Sequence, residues 1–175
     1  MRVLETERLR LRSWTLEDLD DFYEYAKSLE VGPDAGWMPH ACKEESEKIL
    51  RSFIENDDIW AIELKENSKV IGSVGLHKDT NRSGINSKML GYVLSKVYWG
   101  QGIMPEAVKA VIKYAFEEEG LELISVQHFR FNSKSKRVIE KCGFKYEGTL
   151  RKGRKLFNGK VVDLVCYSML KEEYK

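Results

Sequence analysis

The sequence predicts an α/β protein, and three observations support this prediction. Short apolar runs suited to strands are interleaved with segments in which apolar residues recur at helical spacing. Asn158-Gly159 lies between the last two apolar runs, where it indicates a tight hairpin turn. A length of 175 residues with 42% apolar residues is sufficient for one domain with a substantial core. We therefore expect a single domain over residues 1–175, with a mixed sheet, flanking helices and an element order of roughly βααβββαβαββ.

The first third of the chain predicts one strand followed by two helices. Apolar and basic side chains alternate over residues 9–14, which is typical of a strand with one buried face. Thr15 and Asp18 have the spacing of a capping box, and the helix that follows is expected to end near Leu29. Helical spacing returns over 43–55 and predicts the second helix.

The segment between these two helices, residues 31–39, is rich in glycine and proline and predicts a loop. Trp37 stands near the end of this segment. An aromatic residue in such a loop either lines a binding cleft or fastens the loop to the core, and the pattern favours neither role. Trp37 is therefore a candidate ligand-binding residue.

The rest of the chain alternates strands and helices. The polar segment 65–69 lies between two apolar runs and predicts a hairpin. After Pro105, apolar residues form one stripe of a central helix that Gly120 closes. A short helix over 133–141 ends before Gly143. The remaining strands are expected over 59–64, 70–77, 90–94 and 123–129, and on both sides of the Asn158-Gly159 turn.

Between strand 90–94 and the central helix lies a glycine-containing turn suited to bind an anion. Gly100 and Gly102 lack a Cβ, so the backbone can turn tightly and a ligand oxygen can approach the N–H groups. Pro105 suits the first turn of a helix, and Glu106 adds the negative charge that a helix N-terminus favours. This arrangement can hold a phosphate. From these residues alone, a plain strand-to-helix turn is an equally good interpretation.

Composition and missing motifs argue against several classes of function. The chain has neither a G-x-x-x-x-G-K-[ST] nor a G-x-G-x-x-G pattern, so a nucleoside triphosphatase or dinucleotide fold is not indicated. A net charge of +1 gives no large positive field for nucleic acid, although the basic cluster 151–155, expected in a loop, keeps nucleic-acid binding as a minor hypothesis. The three cysteines are widely spaced, so no disulfide framework or metal site is predicted and a cytoplasmic location is expected. No apolar run approaches the ~18 residues of a membrane span.

Two ordered motifs resemble the GNAT superfamily of N-acetyltransferases. Residues 99–104, Trp-Gly-Gln-Gly-Ile-Met, resemble its [QR]-x-x-G-x-[GA] acetyl-CoA loop, with Trp and Met at positions where the family favours other residues. Residues 132–144 resemble its N-x-x-S-x-x-x-(aliphatic)-E-K-x-G-F region, in the family's order and at its usual separation. The opening 4–12 and the ending 164–170 resemble the branch that acetylates N-termini of ribosomal proteins.

This resemblance implies acetyl-CoA as the cosubstrate and assigns residues to it. In the family, the strand before the loop splays from its neighbour to admit the pantetheine arm, with which its backbone can pair as with an extended peptide. The loop amides hold the pyrophosphate on the helix N-terminus. By resemblance, Asn132 contacts pantetheine and Lys136 or Arg137 reaches the adenine-side phosphates. The strand and loop residues expected to bind the cofactor are Val93, Leu94, Ser95, Gln101, Gly102, Ile103 and Met104.

Acetyl transfer from a thioester to an amine needs a neutral amine and a proton for the leaving thiolate. Ser135 resembles the serine proposed to protonate the thiolate in the ribosomal-protein branch, where it also contacts the cofactor; its alternative role is to cap a helix. Many relatives carry a glutamate where this chain has Met89, which cannot accept a proton. His77 and His128 remain, and we predict His128 as the base because its strand should lie beside the thioester. Deprotonation through water is an equal alternative.

The sequence therefore predicts an N-acetyltransferase that acetylates a primary amine, on a protein N-terminus or a small molecule, by direct attack. His77 and Tyr92 join Trp37 as candidate acceptor-binding residues. The alternative is a module that binds acetyl-CoA without catalysis, suggested by Met89 and Met104. Dimers are common in this branch, so a homodimer is expected. Neither a membrane nor a nucleic-acid partner is predicted, and the identity of the amine stays open.

Overall fold

The computed structural model describes residues 1–174, which form two compact units. The first contains residues 1–75 and 92–107, and the second contains residues 76–91 and 108–174. The helices are α1 Leu19–Ala26, α2 Val31–Ala35, α3 Lys43–Asn56, α4 Ile103–Glu117 and α5 Ser133–Lys141. The strands are β1 Leu4–Glu5, β2 Leu9–Arg12, β3 Ile59–Leu64, β4 Val70–Lys78, β5 Ser87–Leu94, β6 Leu123–Phe129, β7 Lys145–Lys155 and β8 Val161–Leu170.

Antiparallel strands of the first unit follow the order β1-β2-β3-β4. In β2, Leu9 and Leu11 are fully buried while Arg10 and Arg12 are not, which confirms the predicted alternation. Arg12 donates to both carboxylate oxygens of Asp18, at 2.8 and 2.7 Å. Asp18 also accepts from the N–H of Thr15 at 2.8 Å, so these two residues cap the turn into α1 as expected.

An aromatic core joins α1 and α3 to the sheet of the first unit. Phe22 and Tyr25 of α1 pack edge to face, with ring centroids 5.4 Å apart. They lie in one buried cluster with Leu50 of α3, Ala61 of β3 and Val70 of β4. This burial, more than helix propensity, holds the two helices in place.

The loop predicted over residues 31–39 is wrong for its first five residues, which form α2. Pro33 lies in the first turn, where its missing N–H removes no helical hydrogen bond. Gly36, with φ at 93°, ends the helix in the left-handed conformation. The Trp37 ring packs on Gly32 so closely that a Cβ there would lie 2.8 Å from it. Tertiary packing therefore stabilises a short helix in a segment whose glycine and proline residues predicted a loop.

The second unit combines parallel and antiparallel strands in the order β5-β6-β8-β7. β5 pairs in parallel with β6, with Ser87–Leu90 opposite Leu123–Val126. β6 and β8, and β8 and β7, pair antiparallel. Gly159, with φ at 82°, lies in the predicted turn between β7 and β8. The basic cluster 151–155 lies in β7 and not in the expected loop, because backbone pairing with β8 continues through Lys155.

The predicted α/β class, a mixed sheet with flanking helices, is confirmed. β6 and α5 have the predicted bounds, whereas α1 ends three residues before Leu29. α4 begins at Ile103, so Pro105 is its third residue and not the first. Strand β1 was absent from the prediction because two residues are too few to show alternation. The single domain over residues 1–175 stays a prediction.

Candidate active site

The glycine turn before α4 has the conformation that an anion site needs. Gly100 and Gly102 have φ values of 78° and 76°, in the left-handed region that other residues avoid. A Cβ at Gly100 would meet nothing within 4 Å, so the turn requires glycine for its backbone and not for lack of space. α4 begins at the next residue, Ile103, and the N–H groups of a first helical turn have no intrahelical partners. The turn therefore presents donors at a helix N-terminus, where an anion is stabilised.

Three residues, Thr6, Arg8 and Glu106, form a clamp that connects this turn to the segment containing β1 and β2. The Glu106 carboxylate accepts from the Thr6 hydroxyl at 2.6 Å and from the Arg8 N–H at 3.0 Å. The Arg8 guanidinium donates to the other Glu106 oxygen at 2.8 Å and to the carbonyl of Gln101 at 3.1 Å. Burial raises the pKa of Glu106, but the bonds from Thr6 and Arg8 outweigh it and hold that pKa below its ordinary value. The clamp thus ties a charged carboxylate in the first turn of α4 to the backbone of the turn.

Sequence reasoning missed the clamp. The segment Thr6-Glu7-Arg8 belongs to the part of the chain that resembles the family, and this could have indicated a role for it. No local pattern connects that segment to Glu106, which lies 98 residues after Arg8.

The side chains of the turn leave its outer side open. Ile103 and Met104 are 3% and 4% exposed, so Met104, which departs from the family pattern, lies in the core and does not cover the turn. Gly102 is exposed, and the amide of the exposed Gln101 side chain donates to the Val97 carbonyl at 2.9 Å. The predicted phosphate-binding residues Gln101 to Met104 are therefore adjacent to one accessible surface.

Backbone groups at the end of β5 and just after it make hydrogen bonds within the protein. The N–H of Ser95 donates to the carbonyl of Ile71 at 2.8 Å, so a cofactor contact from Ser95 would have to use its other atoms. The carbonyl of Leu94 accepts from the indole of Trp99 at 2.8 Å. Val93 is half-buried and lines a cavity described below. Trp99, which replaces the family's usual residue, thus anchors the turn to β5.

In the second unit, Asn132 and Ser135 lie together at the start of α5. Asn132 is the N-cap, and its side-chain carbonyl accepts from the Ser135 N–H at 3.0 Å. The cap is therefore made by the side chain of Asn132 and the backbone of Ser135, and Ser135 itself is partly exposed. Lys136 and Arg137 are exposed, and Nζ of Lys136 lies 3.7 Å from Oε1 of Glu140, one turn later in the helix.

His128 is buried in the same unit, 6% exposed, with its ring 5.7 Å from that of Tyr167. Its Nδ1 lies 2.8 Å from the carbonyl of Phe129, which can only accept, so Nδ1 carries the proton. Nε2 is then the atom with the lone pair. It is buried and has no hydrogen-bond partner within residues 1–174. This is a protonation state in which the ring can accept a proton.

His77 and Tyr92, two of the residues predicted to contact the acceptor, are partly exposed. His77 of β4 lies over Gly91 of β5 in the second unit, and a Cβ at Gly91 would come within 3.1 Å of Nε2 of His77. The glycine therefore makes room for this imidazole. Tyr92 is half-buried in the first unit.

The first unit also contains a cavity of about 280 Å³, here called the aromatic cavity. It includes the predicted Trp37. The lining residues are Phe22, Tyr25, Trp37, Met38, His40, Glu45, Ile49, Phe53, Ser73 and Val93.

His40 is a buried imidazole in this wall that sequence reasoning missed. Its Nδ1 lies 2.7 Å from the hydroxyl of Ser46, and its ring packs against Phe22 and Trp37 at 5.5 and 5.2 Å. Burial lowers the pKa of His40, and the negative charge of Glu45 only partly opposes this shift. The ring is therefore neutral near pH 7 and can donate or accept one hydrogen bond at the cavity.

Tyr25 is expected to tolerate loss of its hydroxyl. The hydroxyl is buried without a hydrogen-bond partner in the described residues. Burial raises the pKa of Tyr25, and the nearby Ser73 side chain only partly opposes this increase. An unpaired buried polar group costs about 1–3 kcal/mol. Tyr25→Phe should therefore leave the free energy of unfolding in urea unchanged or raise it by about 1 kcal/mol. Ser125→Ala is the control: its buried hydroxyl donates to Asp79 at 2.8 Å, and its loss should destabilise the protein.

A metal-binding cluster and a membrane-spanning helix are both absent from residues 1–174. No group of three or more His, Cys, Asp or Glu side chains is placed to hold a metal ion. No helix in this range has the length and apolar character needed to cross a bilayer.

Comparison with known proteins gives a consistent result. Residues 8–145 match the model of the acetyltransferase (GNAT) domain. The chain is 30% identical to p20 of Bacillus licheniformis, described as an uncharacterized N-acetyltransferase, over 99% of both chains. Among solved structures, a GNAT-family acetyltransferase from Bacillus anthracis has a TM-score of 0.89 at 25% identity, over 98% of this chain and 100% of that one. The ribosomal-protein-S5-alanine acetyltransferase of Vibrio fischeri has a TM-score of 0.79 at 25% identity, over 100% of both chains.

The family match covers the glycine turn, Arg8 and Glu106 of its clamp, and the whole second motif, and it confirms the resemblance that the sequence showed. The chain belongs to the GNAT family and is an N-acetyltransferase.

Proposed function

We propose that this enzyme transfers the acetyl group of acetyl-CoA directly to a primary amine, either a protein N-terminus or a small molecule. The observation that carries the proposal is the exposed turn at Gly100 and Gly102, held by Arg8 and Glu106 at the start of α4. Acetyl-CoA is the cosubstrate, and its diphosphate binds the amides of residues 101–104.

Residues of β5 and of the second motif are proposed to supply further contacts. Val93 and Leu94 pair through their backbone with the pantetheine arm, and Ser95 contributes its other atoms. Asn132 orders the start of α5 and contacts pantetheine. Lys136 and Arg137, both exposed, supply positive charge for the adenine-side phosphates.

The reaction forms a C–N bond and breaks the C–S bond of the thioester. His128 accepts the proton that the amine must lose, because Nδ1 is committed to Phe129 and Nε2 holds the lone pair. Ser135 donates a proton to the departing thiolate. Trp37, His77 and Tyr92 contact the acceptor.

The setting of the enzyme is also proposed. We place it in the cytoplasm, since its three cysteines are an odd number and widely spaced in the sequence, as expected of a protein from a reducing compartment. We also propose that the chain is one domain. We expect a homodimer, which sedimentation analysis can check.

The experiment is a screen for acetyl-CoA-dependent release of free thiol with amines of several classes, including peptides with free N-termini. Asn132→Ala should raise the KM for acetyl-CoA, whereas Ser135→Ala should lower kcat about tenfold or more with little change in KM. Asn132→Ser is the control for the cap, because serine also caps helices but lacks the amide.

Unchanged kinetics in both variants would remove these assignments. Saturable acetyl-CoA binding without turnover of any amine would identify a binding module and not an enzyme.

A further inference from the structure

We propose that the aromatic cavity selects acceptor amines that carry a ring-sized apolar group next to the reacting nitrogen. This inference rests on the proposed function, whose acceptor it narrows. The cavity of about 280 Å³ is slightly smaller than the usual range of ligand pockets, roughly 300–1,000 Å³. It has room for one compact group and not for a long polar chain.

The walls match an apolar ring. Phe22, Tyr25, Trp37 and Phe53 contribute aromatic rings, and Ile49 adds an aliphatic side chain. Aromatic rings pack favourably face to edge with another ring and gain the burial of its apolar surface. An acceptor with a small side chain, such as an N-terminal alanine or serine, would leave these walls without contacts.

The polar groups of the cavity are few, which argues against polycationic acceptors. Glu45 is the carboxylate in the lining, and one of its oxygens already accepts from the Ala41 N–H at 2.8 Å. His40 is neutral near pH 7 because burial lowers its pKa. A polyamine or aminoglycoside carries several charges that would lose water here without gaining partners. Glu45 also repels a carboxylate, so a free aromatic amino acid should bind less well than the corresponding amine.

The position of the cavity fits a role in acceptor selection. Among the lining residues, Phe22 and Tyr25 are buried, whereas Met38 is 61% exposed. Val93 belongs both to the lining and to the strand proposed to pair with pantetheine. A ring held in the cavity therefore places an amine one or two carbons away near that strand.

The test compares kcat/KM for phenethylamine, spermidine, L-phenylalanine and a peptide with N-terminal alanine, with acetyl-CoA at saturation. Calorimetry with coenzyme A present measures phenethylamine binding independently of turnover. The kcat/KM for phenethylamine should exceed that for each of the other amines by about tenfold or more, because a ring-sized apolar contact changes substrate preference by at least this factor. Equal or better use of spermidine or of the alanine peptide would overturn the inference and leave the proposed function standing.

Two variants report on the cavity itself. Ile49→Trp fills it and should reduce phenethylamine binding and kcat/KM about tenfold, while Trp37→Ala removes one wall and should weaken binding. Leu29→Ala is the matched control, since Leu29 is 81% exposed and outside the lining. Circular dichroism melting of each variant separates loss of fold from loss of binding.

The outcomes also separate the two proposals. Phenethylamine binding that Ile49→Trp blocks, without acetylation of any amine, would support the cavity and refute the proposed function. Binding unaffected by both cavity variants would refute the cavity.

Discussion

His128→Ala is expected to lower kcat about 100-fold, the lower range of what general acid–base catalysis contributes. An amine is protonated near neutral pH and cannot attack until it loses that proton. In the structure, the proton on Nδ1 of His128 is committed to the carbonyl of Phe129, and the buried Nε2 has no partner in residues 1–174. The measurement is kcat across a pH series, and the shape of the pH–rate profile should differ between the variant and the wild type.

A structural role for His128 would give a different result. The ring packs against Tyr167, so the alanine variant should also be less stable, and its melting temperature must be measured alongside its kinetics. Added imidazole should restore part of the rate if the missing group is a base. His128→Gln, which refills most of the volume without a titrating group, should stay as slow as the alanine variant. An unaltered pH–rate profile in either variant would show that the amine loses its proton by another route, such as water.

Glu106→Ala is expected to raise the dissociation constant of acetyl-CoA about tenfold or more. The carboxylate fixes Arg8, and Arg8 fixes the backbone of the glycine turn at Gln101. A hydrogen bond to a charged group contributes about 1.5–3 kcal/mol, so a turn that loses even one aligned amide loses about a factor of ten in affinity. The measurement is calorimetric titration of the variant and the wild type with acetyl-CoA. Glu47→Ala is the control, because Glu47 pairs with Arg51 on α3 and is outside the clamp.

The same residue predicts how stability depends on pH. The pKa of Glu106 is lower in the folded protein than its ordinary value of 4.5. Its stabilising contribution is therefore fully present above pH 4.5 and is lost as the pH falls through the lower, folded value. Wild-type protein should unfold at higher denaturant concentration than Glu106→Gln at pH 7, and this difference should shrink on acidification below pH 4.5. A constant difference down to pH 3 would mean that the carboxylate charge does not matter to the clamp.

Local patterns in the chain were sufficient for much of the fold and for one half of the candidate site. The bounds of β6 followed from an apolar run, and Gly143 indicated the end of α5, because both signals depend on neighbouring residues alone. The glycine turn was identifiable because positive φ angles at Gly100 and Gly102 require a residue without a Cβ, which is visible in sequence. Asn132 was identifiable through the family motif, and the structure adds that it caps α5.

The remaining features depend on residues that are far apart in the chain. Helix α2 forms in a segment of turn-forming residues because Trp37 packs on Gly32. The clamp joins Thr6 to Glu106 across 100 residues, and hydrogen bonds at such separation leave no periodicity to read.

By itself, the sequence determined the fold class, the family and the turn at the start of α4, since each depends on neighbouring residues. Only the tertiary structure decided that Glu106 holds this turn, that Met104 lies in the core, and that helices α1 and α3 enclose an aromatic cavity. Those properties depend on which distant side chains meet when apolar surface is buried.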